Sequence, residues 1–334
     1  MSIEFQILGR PGYDNALHVS VNSGHAFYRL QFDCGDKCLT ELKFSETLAI
    51  DHLFFSHLHM DHVAGFDLFF RRNFKRESKP NVIWGPPDTT TIIHHRFRGY
   101  MWNLTADLPG QWLVNDIYPD HIKSRRFLTS EAFEYAHDAG VRPFNGVMLE
   151  NDDFRIGAFR MKHLTPSMAY IVREKPHLNV NKERLETSGL KPGPWIEKLK
   201  SAAGEKGDFI EIENEKYSLK KLRDDLLEET PGDSLAYMTD FLMDEAARAR
   251  LLPSLQGIKY MICESQYLHD HKDLADKTCH MTCTQVAEIA RAANVDNLFL
   301  FHVSDRYQPN ELKRMLAEAR SIFPNARFSE HWKI

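Results

Sequence analysis

The sequence predicts an α/β protein in which helices cover β-sheets. Short apolar runs typical of strands alternate with amphipathic stretches typical of helices along most of the 334 residues. Hydrophobic residues make up 43% of the chain, which is enough for a sizeable core in one large domain or two ordinary ones. The sequence contains neither an internal repeat nor a low-complexity tract, so a repeat architecture is not expected.

The predicted elements are spread along the whole chain. Strands are predicted at residues 27–32, 53–56, 82–84, 154–161, 235–239, 260–263 and 297–301, and helices at residues 63–74, 245–252, 282–293 and 310–322. Two stretches break this alternation: residues 96–145, which look irregular, and residues 175–233, which are polar and charged. Both are too long for ordinary connections, so we expect them to be insertions or functional loops.

Composition indicates a cytoplasmic protein whose overall charge does not attract nucleic acid. The net charge is −5, so any nucleic-acid site must be a local basic patch. The five cysteines are an odd number in a large chain and favour reduced thiols. The first residues lack a basic start followed by an apolar run, and no window approaches the ~18 apolar residues of a membrane span.

A dense group of ligand-type side chains follows the strand predicted at residues 53–56. Within the segment Ser-His-Leu-His-Met-Asp-His, His57 and His59 lie two residues apart at a strand end and can meet one cation. After the chain turns, Asp61 and His62 can face a second cation beside the first. Imidazole and carboxylate are ligands that zinc accepts, so the segment predicts a metal site.

This motif resembles the His-x-His-x-Asp-His signature of the metallo-β-lactamase superfamily, and the resemblance extends along almost the whole chain. The matching positions elsewhere are Asp33 in the early Asp motif and, after later strands, His163, Asp240 and His302. The resemblance implies a single domain over residues 1–334, built as an αβ/βα four-layer sandwich of two packed mixed β-sheets flanked by helices. It also implies that Asp33 supports the metal loop without being a ligand.

Further segments resemble the ribonuclease Z family, which trims the 3′ end of precursor tRNA. They are Cys-Glu-Ser-Gln-Tyr from residue 263, Cys-His-Met-Thr from residue 279, His-Val-Ser-Asp-Arg-Tyr from residue 302, and Leu-Lys-Pro-Gly-Pro-Trp from residue 190. The last of these resembles part of the protruding arm that grips tRNA in that family, which implies an arm over residues 175–207. The chain departs from the family at Met60, Met281 and Cys263, and it lacks the usual Arg-Asn pair near the N-terminus.

The resemblance implies two zinc ions per chain, with Mn²⁺ as an alternative, about 3.5–4 Å apart and sharing an acidified water. The expected ligands are His57, His59 and His163 for the first ion, Asp61, His62 and His302 for the second, and Asp240 as the bridge. The resulting hydroxide would attack the phosphodiester, helped by Asp61. His280 is the expected acid for the leaving oxygen, with Glu264 as its partner, and Ser304 and Arg306 are expected to hold a phosphate.

Two other functions stay open at this point. A small-molecule hydrolase of the same fold, such as a cyclic phosphodiesterase, lactonase or arylsulfatase, would carry the same ligands, and a non-catalytic RNA-binding relative is a third reading. A thiolate zinc site at the cysteine pairs 34/38 and 279/283 competes with free thiols, and His269-Asp270-His271 is interpreted as a solvated loop. A homodimer is suggested only because members of the resembled family often form dimers.

Overall fold

The structure is a computed structural model that describes residues 2–24, 26–201 and 208–334. The chain forms two compact units: a main unit of Met1–Arg173 with Asp233–Ile334, and a second unit of Glu174–Gly232. None of the helices in the described ranges has the length and apolar character that a bilayer crossing requires.

The strands of the main unit form two large sheets. The first sheet, in its spatial order, contains β1 (Ser2–Gly9), β2 (Asn15–Asn22), β3 (Phe27–Phe32), β4 (His52–Phe54), β5 (Asn81–Gly85), β6 (Gln111–Ile117), β7 (His121–Leu128) and β8 (His137–Pro143). Its central strands β3 to β6 are parallel, and the pairs on either side are antiparallel.

The second sheet has the order β19-β18-β17-β16-β11-β10-β9. Its strands are β9 (Val147–Glu150), β10 (Phe154–Met161), β11 (Ser167–Glu174), β16 (Ser234–Met238), β17 (Tyr260–Glu264), β18 (Asn297–Phe301) and β19 (Ala326–Arg327). The second unit supplies β12 (His177–Val180), β13 (Phe209–Ile212), β14 (Glu215–Ser218) and β15 (Leu227–Thr230). Strands β16 to β19 are parallel, so their carboxyl ends lie at one edge of the sheet.

The helices complete the elements of the described residues. They are α1 (Phe44–Leu48), α2 (Met60–Val63), α3 (Phe66–Asn73), α4 (Thr89–Arg98), α5 (Lys182–Ser188), α6 (Trp195–Ser201), α7 (Leu219–Leu226), α8 (Glu245–Leu255), α9 (Lys272–Thr278), α10 (Cys283–Ala292) and α11 (Pro309–Ile322). Helix α10 begins where the side chain of Thr282 accepts from the Gln285 amide and Gln285 reaches back, a reciprocal cap that fixes its start.

Three layers of apolar side chains hold the main unit together. Phe32 and Phe54 of the first sheet pack with Tyr170 and Phe301 of the second in a core between the sheets. A second core lies between the first sheet and helices α2, α3 and α4, and a third lies between the second sheet and helices α8 to α11. Two packed sheets with helices outside each confirm the predicted four-layer sandwich.

The prediction of irregular chain over residues 96–145 is wrong. Strands β6, β7 and β8 lie there and extend the first sheet. Buried polar residues such as Asn115 and Asp116 interrupt the apolar run of β6. Strand β8 lies at the sheet edge and is exposed along nearly all its length, so no alternation marks it in the sequence.

The second unit folds around its own core. Strand β12 pairs with β15, β13 pairs with β14, and helices α5, α6 and α7 pack on them around Trp195, Leu199, Leu222 and Leu226. The predicted arm, residues 175–207, lies within this unit, which continues beyond it to Gly232. Residues 202–207 of that prediction lie outside the described residues.

Candidate metal centre

The predicted ligands come together where strands of the two sheets end. Asp33 follows β3 and His57 follows β4 in the first sheet, while Asp240, Glu264 and His302 stand at the ends of β16, β17 and β18 in the second. The carboxyl ends of parallel strands share an edge, and this edge is where side chains can converge on a ligand. Sequence positions more than 200 residues apart thereby contribute to one cluster.

The backbone is strained at three of these positions. Asp33, Asp240 and His302 have φ angles of 58°, 53° and 50°, in the left-handed region that residues with a Cβ rarely adopt. Such strain persists only where the surrounding structure holds it, and it concentrates at functional sites. Each of the three follows closely on a strand end, so the turn directs its side chain across the edge of the sheet.

Asp240 divides the cluster into two sides. Its Oδ1 atom lies 3.8 Å from His57 Nε2 and 3.9 Å from His163 Nε2. Its Oδ2 atom lies 3.1 Å from His62 Nε2 and 3.4 Å from His302 Nε2. The two carboxylate oxygens thus face different pairs of Nε2 nitrogens, as a carboxylate shared by two cations must, and Oδ1 also lies 3.8 Å from Nδ1 of His280.

The remaining predicted ligands join one side each. His59 groups with His57 and His163, whose ligand atoms all lie within 4.8 Å of one another. On the other side, Asp61 Oδ2 lies 3.4 Å from His62 Nε2 and 3.6 Å from His302 Nε2. The structure therefore brings all seven predicted ligand side chains into one cluster.

The geometry of the cluster fits metal ions. The Nε2 atoms of His57 and His62 are buried and have no hydrogen-bond partner, which is costly unless something else occupies their lone pairs. Ligand atoms about 2.1 Å from a tetrahedral zinc stand about 3.4 Å apart, close to the spacings around both oxygens of Asp240. Unpartnered nitrogens at ligand spacing are what a two-cation site requires.

Asp33 is surrounded by donors behind the ligands. Its Oδ2 atom accepts from Ser56 Oγ at 2.6 Å, from Tyr237 OH at 2.7 Å and from His62 Nδ1 at 2.8 Å, and its Oδ1 accepts from the Ser56 amide at 2.7 Å. Because Asp33 accepts a hydrogen bond from Nδ1–H of His62, the free lone pair of this imidazole is on Nε2. His163 is oriented similarly, since its Nδ1 lies 3.0 Å from the Cys279 carbonyl oxygen.

Ser56, Tyr237 and the Cys279 carbonyl were not recognised from the sequence. Ser56 immediately precedes His57, and Tyr237 lies three residues before Asp240, so both were inside segments that the resemblance already singled out. Hydroxyl groups next to ligand motifs were the available signal. The Cys279 contact is made by a backbone carbonyl, so the residue type at this position does not reveal it.

Burial and charge set the ionisation of the cluster. Burial lowers the pKa of His57 to about 2, so this imidazole is neutral and its lone pair is free to bind a cation. Burial also opposes protonation of His62, but the carboxylates of Asp240 and Asp33 outweigh it and raise the pKa of His62. The imidazoles of His302 and His62 hold the pKa of Asp240 well below its ordinary value despite complete burial. A cation binding here competes with the proton on His62.

His280 and Glu264 form a pair beside the cluster. His280 Nδ1 lies 2.8 Å from Glu264 Oε2, and Glu264 is fully buried while also accepting from the Phe241 amide at 2.8 Å. Burial lowers the pKa of His280, but the Glu264 carboxylate outweighs it and raises that pKa to about 9. Because Glu264 holds Nδ1 of the protonated imidazole, Nε2 is the nitrogen that can deliver a proton.

Ser304 and Arg306 lie on the loop after His302 and contact each other. Arg306 Nε donates to Ser304 Oγ at 3.2 Å, and the guanidinium lies 5.2 Å from the centre of the Tyr267 ring. Within the described part of the chain Arg306 has no acidic partner at ion-pair distance. Its position beside Tyr267, whose ring centre is 6.1 Å from that of His280, places this positive charge near the candidate acid.

Other candidate ligands are not part of the cluster. The His269-Asp270-His271 segment forms a 3-10 turn in which Asp270 pairs with Arg314 and His271 contacts Tyr307. All five cysteines are free thiols, and none belongs to a group of metal-ligand type among the residues described. The thiolate alternative therefore has no support in the structure.

The fold and the cluster define this protein as a metallo-β-lactamase-fold hydrolase. It resembles the crystal structures of the metallo-β-lactamase fold protein YhfI from Bacillus subtilis (TM-score 0.57, 13% identity, 98% of this chain and 96% of that one) and of the short form of human tRNase Z (TM-score 0.55, 15% identity, 98% and 96%). A family model described as anti-Pycsar protein Apyc1 matches residues 15–181.

Curated relatives identify the family within this fold class. Ribonuclease Z of Deinococcus radiodurans is 44% identical over 326 residues, which are 98% of this chain and 97% of that protein. The chain belongs to the ribonuclease Z family, and the predicted resemblance is confirmed.

Proposed function

We propose that the protein cleaves precursor tRNA at the junction with its 3′ trailer, with two zinc ions per chain. The observation that carries the proposal is the two-sided cluster in which each oxygen of Asp240 faces its own pair of imidazoles. The extensive identity with Ribonuclease Z of Deinococcus radiodurans supports RNA as the substrate. Mn²⁺ is the alternative metal, since the same oxygen and imidazole ligands accept it.

The ligand assignment follows the two sides of the cluster. His57, His59, His163 and Asp240 Oδ1 would hold one ion, and Asp61, His62, His302 and Asp240 Oδ2 the other. When bound, two such ions lower the pKa of a shared water and stabilise charge on the phosphoryl oxygens. Asp33 keeps Nε2 of His62 available by binding its Nδ1 proton.

The chain's own residues complete the reaction around this centre. His280 Nε2 would donate a proton to the leaving oxygen, and Glu264 positions His280 by holding Nδ1. Arg306 and Ser304 would bind a phosphoryl oxygen through a charge-assisted hydrogen bond and a hydroxyl. Asp61 has a half-exposed side chain whose pKa is lowered by hydrogen bonds from His302 and His62 against the effect of burial, so its carboxylate can orient the attacking water.

The second unit is proposed as the arm that holds tRNA. Exposed cations lie on α5 and α6 and on the turn between them, at Lys182, Arg184, Lys191 and Lys200. Phosphate contacts of this kind position a nucleic acid without reading its sequence. Glu183 and Glu186 on α5 dilute the charge, so the contribution must be measured.

Deletion of the second unit tests its proposed role. His177 of β12 pairs with Thr230 of β15, so residues 176 and 231 can be joined by a short Gly-Ser linker. We expect this deletion to raise KM for precursor tRNA and to weaken the salt dependence of tRNA binding. Substitution of Lys182, Arg184, Lys191 and Lys200 by Gln, with the fold of the unit kept, should act in the same direction.

The test is cleavage of precursor tRNA by the zinc-replete protein, measured beside bis-p-nitrophenyl phosphate. We expect release of the intact 3′ trailer at a single junction. Hydrolysis of bis-p-nitrophenyl phosphate without cleavage of any precursor tRNA would show that the substrate is wrong. Absence of both activities in protein with full metal content would instead favour the non-catalytic RNA-binding alternative.

A small-molecule hydrolase remains the second candidate because the imidazole and carboxylate ligands of the cluster do not by themselves select RNA. The same metal cluster serves cyclic phosphodiesters, lactones and aryl sulfates, since the metal chemistry is not specific to RNA. A panel of these substrates at matched concentrations separates the candidates. A value of kcat/KM on any of them above that on precursor tRNA would move the assignment to this class.

We further propose a cytoplasmic location and a homodimer. The five free thiols, four of them buried, are compatible with a reducing compartment. The dimer rests on the family alone and is tested by light scattering of the eluted protein. A mass of one chain at micromolar concentration would exclude a stable dimer.

A further inference from the structure

A cavity of about 430 Å³ opens beside the metal centre. Its wall is formed by the end of β10, the loop over residues 163–166 and the first turns of α8. His163 is shared between the two sites: it lines the cavity, and its Nε2 lies 3.9 Å from Asp240 Oδ1. A ligand in the cavity therefore adjoins the first proposed cation position. The volume falls within the ~300–1,000 Å³ of small-ligand sites.

The charge of the cavity wall is positive. Arg160, Lys162 and Arg250 line it, and Asp244 is the acidic residue among the lining side chains. Lys162 Nζ lies 3.7 Å from Asp244 Oδ2, but Asp244 also caps α8 by accepting from the Ala247 amide at 2.8 Å. In the described ranges neither arginine has an acidic side chain at ion-pair distance. Three cations and one carboxylate leave a surplus of two positive charges.

Two uncharged features of the wall suit a nucleotide. The hydroxyl of Thr165 is buried and has no hydrogen-bond partner among the residues described. Leu164 is 69% exposed and lines the cavity together with Pro166. The exposed apolar surface offers a flat contact for a sugar or base, and the buried Thr165 hydroxyl behind it would reach a ligand only after rotation of its side chain. A purely structural ion-pair cluster would need neither.

We propose that this cavity binds the nucleotide next to the scissile phosphodiester. Lys162 and Arg250 hold its phosphate, and Leu164 with Pro166 contacts its base or sugar. This inference rests on the proposed phosphodiester chemistry at the neighbouring metal centre. Because phosphate contacts do not distinguish bases, the cavity positions the RNA chain and leaves its sequence unread.

The experiment measures how a single-stranded RNA hexanucleotide inhibits bis-p-nitrophenyl phosphate hydrolysis. The test variant is Lys162→Gln with Arg250→Gln, and the matched control is Arg248→Gln, which lies exposed on the same helix and does not line the cavity. Each variant serves as its own baseline, so a modest change in hydrolysis does not affect the inhibition constant. Metal content and unfolding temperature verify that the variants are folded.

We expect the double variant to raise the inhibition constant roughly tenfold or more, because two charge-assisted contacts are lost. The slope of its logarithm against the logarithm of salt concentration should fall by about two. Arg250→Lys should recover much of the loss, and Arg248→Gln should match the unsubstituted protein. In the unsubstituted protein, a hexanucleotide with neutral methylphosphonate linkages should inhibit as weakly as the RNA inhibits the double variant.

Three outcomes would overturn the inference. The first is an inhibition constant of the double variant within twofold of that of the unsubstituted protein. The second is an equally large increase of the inhibition constant in Arg248→Gln. The third is that the hexanucleotide does not inhibit the unsubstituted protein at all. The failure of the proposed function looks different, because cleavage of precursor tRNA is scored separately. Cavity-dependent inhibition without tRNA cleavage would reject the tRNA substrate and keep the nucleotide site. Cleavage with an unchanged inhibition constant would do the reverse.

Discussion

Substitution of Asp33 by Asn tests how far the buried carboxylate supports the metal centre from behind. Asp33 is completely buried and accepts four hydrogen bonds, three of them on Oδ2 from Ser56 Oγ, Tyr237 OH and His62 Nδ1. An amide of the same shape keeps the volume but carries one oxygen, one NH₂ group and no charge. The substitution therefore changes hydrogen bonding and charge with little change in packing.

The magnitude follows from the two possible orientations of the amide. With its NH₂ at the Oδ2 position, the amide faces three donors; with its NH₂ at the Oδ1 position, it faces only the Ser56 amide. The second orientation is the less costly and loses one buried hydrogen bond, which destabilises by about 1–3 kcal/mol. Loss of the negative charge behind His62 should also weaken the ion on that side by about 10–100-fold.

The assay is competition for metal with a chelator, which resolves the affinities of two ions, together with thermal unfolding of the metal-free protein. Asp33→Asn should weaken one ion more than the other, since His62 serves only one side of Asp240. Tyr237→Phe is the matched control, because it removes one donor and leaves the charge. It should cost about 1 kcal/mol and change metal affinity little. If Asp33→Asn lowered stability but left both ion affinities within threefold, the argument that Asp33 supports the ligand would be refuted.

The other predictions concern protons, metal and backbone. The rate of hydrolysis of substrates with poor leaving groups should fall as pH rises through the His280 pKa of about 9. Glu264→Gln should move this fall in rate to lower pH. A pH profile identical to that for bis-p-nitrophenyl phosphate would exclude His280 as the acid. The raised pKa also stabilises the fold, fully below the ordinary value of 6.5 and no longer above about 9, which unfolding against pH will show. Elemental analysis should find about two zinc ions per chain, and Asp240→Ala should lose the most metal of any ligand variant, because it faces both sides; retention of two ions would contradict the bridge. Gly65→Ala places a Cβ 2.3 Å from a backbone oxygen and should lower the unfolding temperature, with a cost of about 1–3 kcal/mol, whereas Gly99→Ala, with 3.3 Å to its nearest neighbour, should cost less.

Most side chains of the candidate metal centre could be predicted from the sequence, because short segments of the chain contain the signals. Metal ligands must be imidazoles or carboxylates, and the spacing of His57, His59, Asp61 and His62 records the strand end and turn that present them. Strands β10 and β18 have the predicted bounds, because the buried side chains of β10 alternate with more exposed ones and β18 is a short, mostly apolar run. The alternation of strands and helices indicated an α/β architecture, and the resemblance to the metallo-β-lactamase superfamily implied the four-layer sandwich.

Elements without such a local pattern could not be predicted. The exposed edge strand β8 owes its conformation to pairing with β7, and the apolar residues of the second unit are scattered among charges until α6 and α7 bring them together. The secondary-structure propensity of neighbouring residues does not predict these pairings, because the partner strand or helix lies elsewhere in the chain.

The finer division of the site belongs to the tertiary structure. The sequence placed Asp240 among the ligands, but only the fold shows that Oδ1 faces His57 and His163 while Oδ2 faces His62 and His302. The same holds for the cavity beside His163, where residues 160–166 meet residues 244–250 although no sequence pattern connects the two segments. Residue type determines which chemistry is available, and the packing of the sheets determines which atoms come within a few ångströms of one another.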